Sequence, residues 1–313
     1  MYFMNSLIIV ILNLLMVLLS VAFLTLFERK LLGLIQLRKG PEKVSFLGMM
    51  QPFSDAMKLL LKEMFFLMKS MNLYYLLSPI FMFTLMLFMW LVCPFYYNLY
   101  FMSMGVMIFF VCLSMGVYSL VISSWASNSM YSLLGSMRSI IQTISYEISI
   151  IMMMFMMIML VESFNFIDYM FMQINLWFMI YLFFISMFFY IMLIMELNRT
   201  PFDFSEGESE LVSGFNIEYM SSLFVLIFLS EYGMIIFMMM IYEMMFMGGK
   251  IYLFSFYLIL MFLVMMIILI RGSMPRYRID KMLMFIWLSI FPYLLILIIM
   301  FISMKGVMMY YLY

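Results

Sequence analysis

The sequence predicts an all-α integral membrane protein with about eight transmembrane helices, and three observations carry that reading. Hydrophobic residues make up 68% of the 313 and charged residues only 10%, with a mean hydropathy of +1.17. A soluble domain of this length needs a polar surface that such a composition does not supply. Apolar runs of about twenty residues, enough to cross roughly 30 Å of hydrocarbon, recur along the chain. Short alternating segments of the kind that build a membrane β-barrel do not. In lipid the backbone must satisfy its own hydrogen bonds, so these runs are helices.

The runs fall near 6–27, 73–93, 102–123, 139–161, 171–195, 219–242, 251–270 and 282–304, and they make residues 1–313 a single membrane domain. The first run has neither a small-residue cleavage site nor an Arg/Ser-rich transit pattern, so a retained helix is expected. Eight spans put both termini on one side. The loops joining spans 1–2, 3–4, 5–6 and 7–8 then hold 14 of the 16 basic residues, leaving Lys250 and Lys305 opposite. The positive-inside rule puts those loops in the matrix or cytoplasm and both termini outside. Within the first inner loop, residues 51–69 set Asp55, Lys58, Lys62 and Lys69 along one helical face, with Phe53, Met57, Leu60, Leu61 and Met64 over much of the rest. Pro52 suits a first turn. The pattern predicts an amphipathic interfacial helix, the plainer alternative being a charged loop with snorkelling lysines.

There is no histidine, and the two cysteines, Cys93 and Cys112, lie in separate predicted helices. Bis-His haem, His/Cys zinc and four-Cys iron–sulfur sites are therefore impossible within this chain. No metal site is expected, and any electrons must come from a partner. Met (48), Phe (36) and Tyr (22) abound, while alanine occurs only at Ala22, Ala56 and Ala126. That bias points to an A+T-rich gene read with a mitochondrial code.

The segment between spans 5 and 6, residues 196–218, carries Glu196, Asp203, Glu206, Glu208, Glu210 and Glu218 against one base, Arg199. Pro201, Gly207 and Gly214 prevent one continuous helix. Crowded carboxylates titrate as a coupled unit, so protons are shared and passed on. A solvated acidic loop is the bland alternative, but interleaved Phe202, Phe204, Leu211 and Phe215 favour partial burial. Two further acids lie inside spans. Glu147 follows Ser139 and Thr143 on one face of span 4, and Glu231 sits near the middle of span 6. Neither has a basic partner at helical spacing. Intramembrane acids are proton- or ion-pathway candidates, against the plainer reading of a neutral packing hydrogen bond. Basic runs, including Arg29, Lys30, Arg38 and Arg271 to Lys281, frame the acidic set. They anchor the inner face, and beside an acidic loop they can neutralise it.

Glu28-Arg29-Lys30, Gln36 to Pro41, Gln51 to Lys58, Gln142 to Glu147, Asn198 to Tyr219 and Arg271 to Asp280 together resemble the quinone-chamber membrane subunits of respiratory complex I and their bacterial relatives. The resemblance runs from span 1 through span 8, and Asn198–Tyr219 is its most specific part. Departures are small: Phe27, Glu42 and Ser54 replace the family's usual Leu, Asn and Cys. The resemblance implies a proton-pumping NADH:ubiquinone oxidoreductase subunit in the mitochondrial inner membrane that forms the membrane end of a ubiquinone tunnel. Arg29, Arg38, Asp55, Lys58, Arg199 and Asp203 match tunnel positions. Glu147, Glu196, Glu206, Glu208, Glu210, Glu218 and Glu231 match an acidic proton pathway, and Arg276 and Arg278 face the peripheral arm. Ubiquinone is then the substrate, while FMN and iron–sulfur clusters belong to partner subunits. The implied partners are the peripheral-arm subunits with the terminal cluster, small membrane subunits leading to antiporter-like ones, and lipid, with no nucleic acid.

Three other readings compete. A secondary transporter predicts internal repeats and helices broken at the midplane, and no convincing repeat is found. A purely structural anchor for the peripheral arm explains the charged loops but not Glu147 and Glu231. A hydrogenase-linked relative would share the acids, and the mitochondrial composition argues against it.

Overall fold

The computed structural model describes residues 2–66, 68, 70–94, 103–205, 207, 214–249, 251 and 253–312. Among the described residues there are helices and no strands, and seven helices are long and apolar enough to cross a membrane. In chain order these are α1 (Tyr2–Ile35), α3 (Asn72–Leu91), α4 (Gly105–Ser127), α5 (Met130–Val161), α9 (Ser221–Phe246) and α10 (Phe254–Ser273), then a last span assembled from α11 (Ile279–Met284), a π-helical turn (Phe285–Ile290) and α12 (Phe291–Leu312). Shorter helices complete the set: α2 (Gln51–Leu60), α6 (Phe166–Met172), α7 (Phe178–Tyr181) and α8 (Phe183–Glu196).

Helix α9 is the hub. Every residue from Ile235 to Phe246 is buried, and α1, α3, α8 and α10 pack around it. Close approach to α3 depends on Gly233, where a Cβ would meet the Met86 sulfur at 2.8 Å. The Trp90 indole N–H donates to the Gly233 carbonyl at 3.3 Å across the same contact. By contrast α1 exposes Ile8, Ile11, Leu12, Leu15 and Met16. For a helix facing acyl chains, that exposure carries no penalty.

Four predicted elements need correction. The fifth span, 171–195, is not one helix. Asn165 caps α6 by accepting from the Ile167 N–H at 3.2 Å, and Gln173 then donates to the Met244 and Met245 carbonyls at 3.1 and 2.9 Å. This side chain satisfies the carbonyl end of α9 and turns the chain before α7. A second break falls at Leu182 (φ −113°, ψ 40°). Helix α8 alone is 14 residues, about 21 Å at 1.5 Å per residue.

The fourth span starts at Met130 rather than 139. Ser132, Ser136 and Ser139 do not stop the helix, because each hydroxyl donates to the carbonyl three residues back, a local bond compatible with helical geometry. The interfacial helix ends at Leu60 instead of 69. Leu61 is 79% exposed, so nothing beyond α2 supplies the packing that holds a short helix together; Lys69 lies outside the described residues. The eighth span begins at Ile279 and contains the π turn just ahead of Pro292, whose missing N–H forbids a regular bond at that point.

Helix α5 also presses on two interior points of the acidic loop. At Gly135 a Cβ would lie 3.1 Å from the Ser205 carbonyl oxygen and 3.2 Å from the Gly214 Cα. Gly135→Val is expected to cost about 1–3 kcal/mol by overpacking, read as a lowered thermal midpoint of the purified protein. Gly135→Ala should fall between this variant and wild type.

Candidate functional site

The site begins where α8 ends. Glu196 is the last helical residue, Leu197 caps it, and Asn198 takes the left-handed conformation (φ 49°). Asparagine tolerates that geometry better than most residues. The chain therefore reverses and sends Arg199 back into the bundle, where it is only 5% exposed. One guanidinium nitrogen lies 3.1 Å from Glu231 Oε2 on α9. The guanidinium carbon stands 4.7 Å from the centre of the Tyr232 ring, a favourable cation–π separation. Glu28 on α1 lines a small cavity together with Arg199 and Tyr232 and is ion-paired with Arg271 on α10. Acid, base, acid and base thus alternate through the bundle. Each of these four charges stands near an opposite one, which offsets its loss from water.

On the other side of Glu231 lies a cavity of about 120 Å³ between α3, α4, α5, α8 and α9. Glu196 and Glu231 both line it, together with Ser119, Thr143, Asn198 and Ser230. That volume holds several waters, and the lining gives each one polar partners. Glu147 is half-buried on α5.

The inner loops are joined to one another. Arg276 approaches Asp203 at 3.4 Å, the Tyr277 N–H donates to the Pro201 carbonyl at 2.9 Å, and the Phe202 and Tyr277 rings stack at 5.3 Å. Between them opens a polar cleft of about 610 Å³ lined by Arg138, Asp203, Arg276, Arg278 and Asp280. At the opposite end of the acidic segment, the Glu218 carbonyl accepts from Tyr75 at 2.5 Å. Tyr75 stacks on Tyr219 at 4.5 Å, and the Tyr219 hydroxyl donates to the Ser123 carbonyl at 3.0 Å.

Near the inner end of α1, Arg29 pairs with Asp55 of α2 at 2.5 Å, and Gln51 donates to the same carboxylate at 2.8 Å. Arg38 is exposed and bonds Gln36; Lys58 is exposed on α2. An almost wholly apolar groove of about 670 Å³ runs along α1 from Asn13 to Lys30, walled by Trp90, Met240 and Leu260 among others.

The structure thus brings together Arg199 with Glu231, Glu231 with Glu196, Arg276 with Asp203, and Arg29 with Asp55. Glu206, Glu208 and Glu210 lie outside the described residues. Helical spacing offers Glu231 no basic partner, and the one the structure supplies comes from outside its helix: Arg199 reaches it from a loop. Sequence reasoning also missed Glu28, Arg271 and Tyr232 as members of the charge lattice. It missed Glu243 on α9 as well, which is 0% exposed with neither carboxylate oxygen hydrogen-bonded. Glu243 had a signal, being an acid within a long apolar run; Glu28 had none beyond its motif.

The NADH dehydrogenase family model matches residues 8–302. The chain is 46% identical to NADH-ubiquinone oxidoreductase chain 1 of Anopheles gambiae, covering 92% of both chains. It is 48% identical to that of Locusta migratoria, covering 88% of both. For Apis mellifera ligustica the identity is 49%, over 87% of this chain and 88% of the relative.

Arg199→Gln leaves Glu231 facing the bundle without its cation, and is expected to destabilise by roughly 2–3 kcal/mol. Adding Glu231→Gln should recover most of that loss, because the uncompensated charge is gone. Thermal midpoints of the two singles and the double measure the coupling; additive losses would deny it.

Proposed function

This chain belongs to the NADH dehydrogenase family, and we propose that, as a core membrane subunit of complex I, it forms the membrane end of a ubiquinone tunnel and converts quinone reduction into proton movement through buried carboxylates. The catalytic activity, NADH:ubiquinone oxidoreduction, is that of the assembled complex in the mitochondrial inner membrane. Electrons reach the quinone from FMN and iron–sulfur clusters held by other subunits, since this chain has no histidine and only two cysteines. The reaction at the tunnel is ubiquinone plus two electrons plus two protons to ubiquinol.

One observation carries the reading. Glu231 faces a cavity of about 120 Å³ shared with Glu196 and is simultaneously ion-paired to Arg199, the one base of the loop between α8 and α9. A charge change near that loop is therefore felt at an intramembrane acid. At an effective dielectric of about 20, a unit charge 4 Å away is worth about 4 kcal/mol, equivalent to about three pH units in a proton affinity.

The other residues take roles around this junction. Arg29, Arg38, Asp55, Lys58, Arg199 and Asp203 serve the tunnel, and the apolar groove along α1 suits an isoprenoid tail, which needs an apolar slot. Glu147, Glu196, Glu206, Glu208, Glu210, Glu218 and Glu231 serve the proton set. Arg276 and Arg278 border the polar cleft offered to the peripheral arm. With the shorter α8 taken as the eighth crossing beside the seven long helices, the basic loops face the matrix, both termini face the intermembrane space, and the gene is mitochondrial.

Replacing Glu231 with Gln while assembly is retained should cut quinone-linked proton pumping about tenfold or more. Electron transfer from NADH to a hydrophilic acceptor, which bypasses the quinone, should stay near normal. Proton-to-electron ratios in sealed vesicles read the outcome; an unchanged ratio and rate would remove Glu231 from the pathway.

A further inference from the structure

The groove along α1 carries a charge at its inner mouth. Among the described residues that wall it, Lys30 alone is ionised. Its position is fixed at both ends of the side chain. At Gly40 a Cβ would lie 3.0 Å from the Lys30 Cα and 3.1 Å from its Cγ, so the loop backbone rests directly against the stem. At the tip, Nζ donates to the Leu47 carbonyl at 2.7 Å. An ammonium has three donors, which leaves two for a ligand. The acids on α1 and α2 do not claim them, because Glu28 is paired with Arg271 and Asp55 with Arg29.

The surroundings say what kind of ligand would meet those donors. Met16, Phe23, Tyr257 and Met261 are exposed along the groove, so it opens sideways toward lipid. The loop that receives Nζ presents Phe46, Leu47 and Met49 outward, side chains suited to the boundary between headgroups and acyl chains. Away from the mouth little polarity remains. The Ser20 hydroxyl is spent on the Val17 carbonyl at 2.7 Å, and Asn13 lies 17 residues back along α1, about 26 Å at 1.5 Å per residue. A cation at the interface followed by a greasy slot is the polarity order of a phospholipid. An isoprenoid tail is uncharged and has no use for the ammonium.

We propose that the inner mouth of this groove is a phospholipid site, in which Lys30 holds the headgroup phosphate and one acyl chain lies in the slot. The two spare N–H groups donate to phosphate oxygens as charge-assisted hydrogen bonds. The pinned stem reduces the side-chain entropy lost on binding. Acyl chain and quinone tail then share one slot, and the lipid leaves before the tail enters. That sharing rests on the groove being the path of the tail; the lipid site itself does not.

The test uses the intact complex in sealed vesicles doped with phosphatidylglycerol that carries a photoreactive diazirine on one acyl chain. Diacylglycerol with the same chains is the uncharged control. After irradiation, peptide mapping should place the phosphatidylglycerol label on groove residues of α1 and α10. Lys30→Gln should cut that label about fivefold, roughly the factor by which one juxtamembrane lysine strengthens attraction to an anionic lipid. Lys30→Arg should keep it. In the wild type, diacylglycerol should label the groove as weakly as phosphatidylglycerol labels Lys30→Gln, a comparison that needs no variant to assemble. Equal labelling by the two lipids, or full labelling of Lys30→Gln, overturns the site and leaves Lys30 as a snorkelling anchor. Label confined to outward helix faces, with none in the groove, overturns it too. Added long-tailed ubiquinone separates the two readings. Loss of groove label supports a shared slot; a Lys30-dependent label that quinone leaves unchanged keeps the lipid and removes the tail from the groove.

Discussion

Arg199 enters an apolar helix bundle with a full positive charge, and the Glu231 carboxylate 3.1 Å away is what makes that burial tolerable. Much else is arranged around this contact. The left-handed turn at Asn198 aims the chain inward, Tyr232 supplies a π-face rather than another charge, and the Glu28–Arg271 pair closes the far side. The acidic segment is thus tethered at its start to the centre of the fold. Its other end is fixed by a second device: Tyr75 of α3 and Tyr219 stack, Tyr75 donating to the Glu218 carbonyl and Tyr219 to the Ser123 carbonyl of α4. A loop that would otherwise repel itself into solvent is held at both ends by buried polar contacts.

Polar groups in this bundle act either locally or across elements. Most serines of α4 and α5 bond to carbonyls within their own helices, so they cost little and order little. Gln142, Gln173 and Tyr219 bond carbonyls of other elements. The ionised groups also reach across, from α1 to α2, from α1 to α10 and from the loop to α9. Any change in one of them is transmitted to a helix that it does not belong to.

What was legible in the sequence follows the same division. Spans were readable because length and apolarity are local properties, and seven of the eight runs correspond to continuous spanning helices or, for the last, to a helix with a π turn. The fifth run misled because its break comes from Gln173 capping a different helix, a tertiary bond with no local signature. The start of α5 was placed too late because a serine-rich stretch looks like a loop until its hydroxyls are seen to bond backwards. Glu147, Glu196 and Glu231 were identified as unusual from their position alone. Their partners were not, because Arg199 and Glu231 are 32 residues apart, and Glu28 and Arg271 are separated by 243. Pairing at that distance is written in packing rather than in spacing.

The shortness of α8 has a mechanical side. A helix of 14 residues covers about 21 Å, against roughly 30 Å of hydrocarbon elsewhere. Such a mismatch is met by deforming the bilayer or by leaning on longer neighbours, at fractions of a kcal/mol per ångström. The last turns of α8 lean on protein: Met192, Leu193, Ile194 and Met195 are all buried. The length that α8 lacks is therefore made good by its neighbours, and lipid carries little of the load.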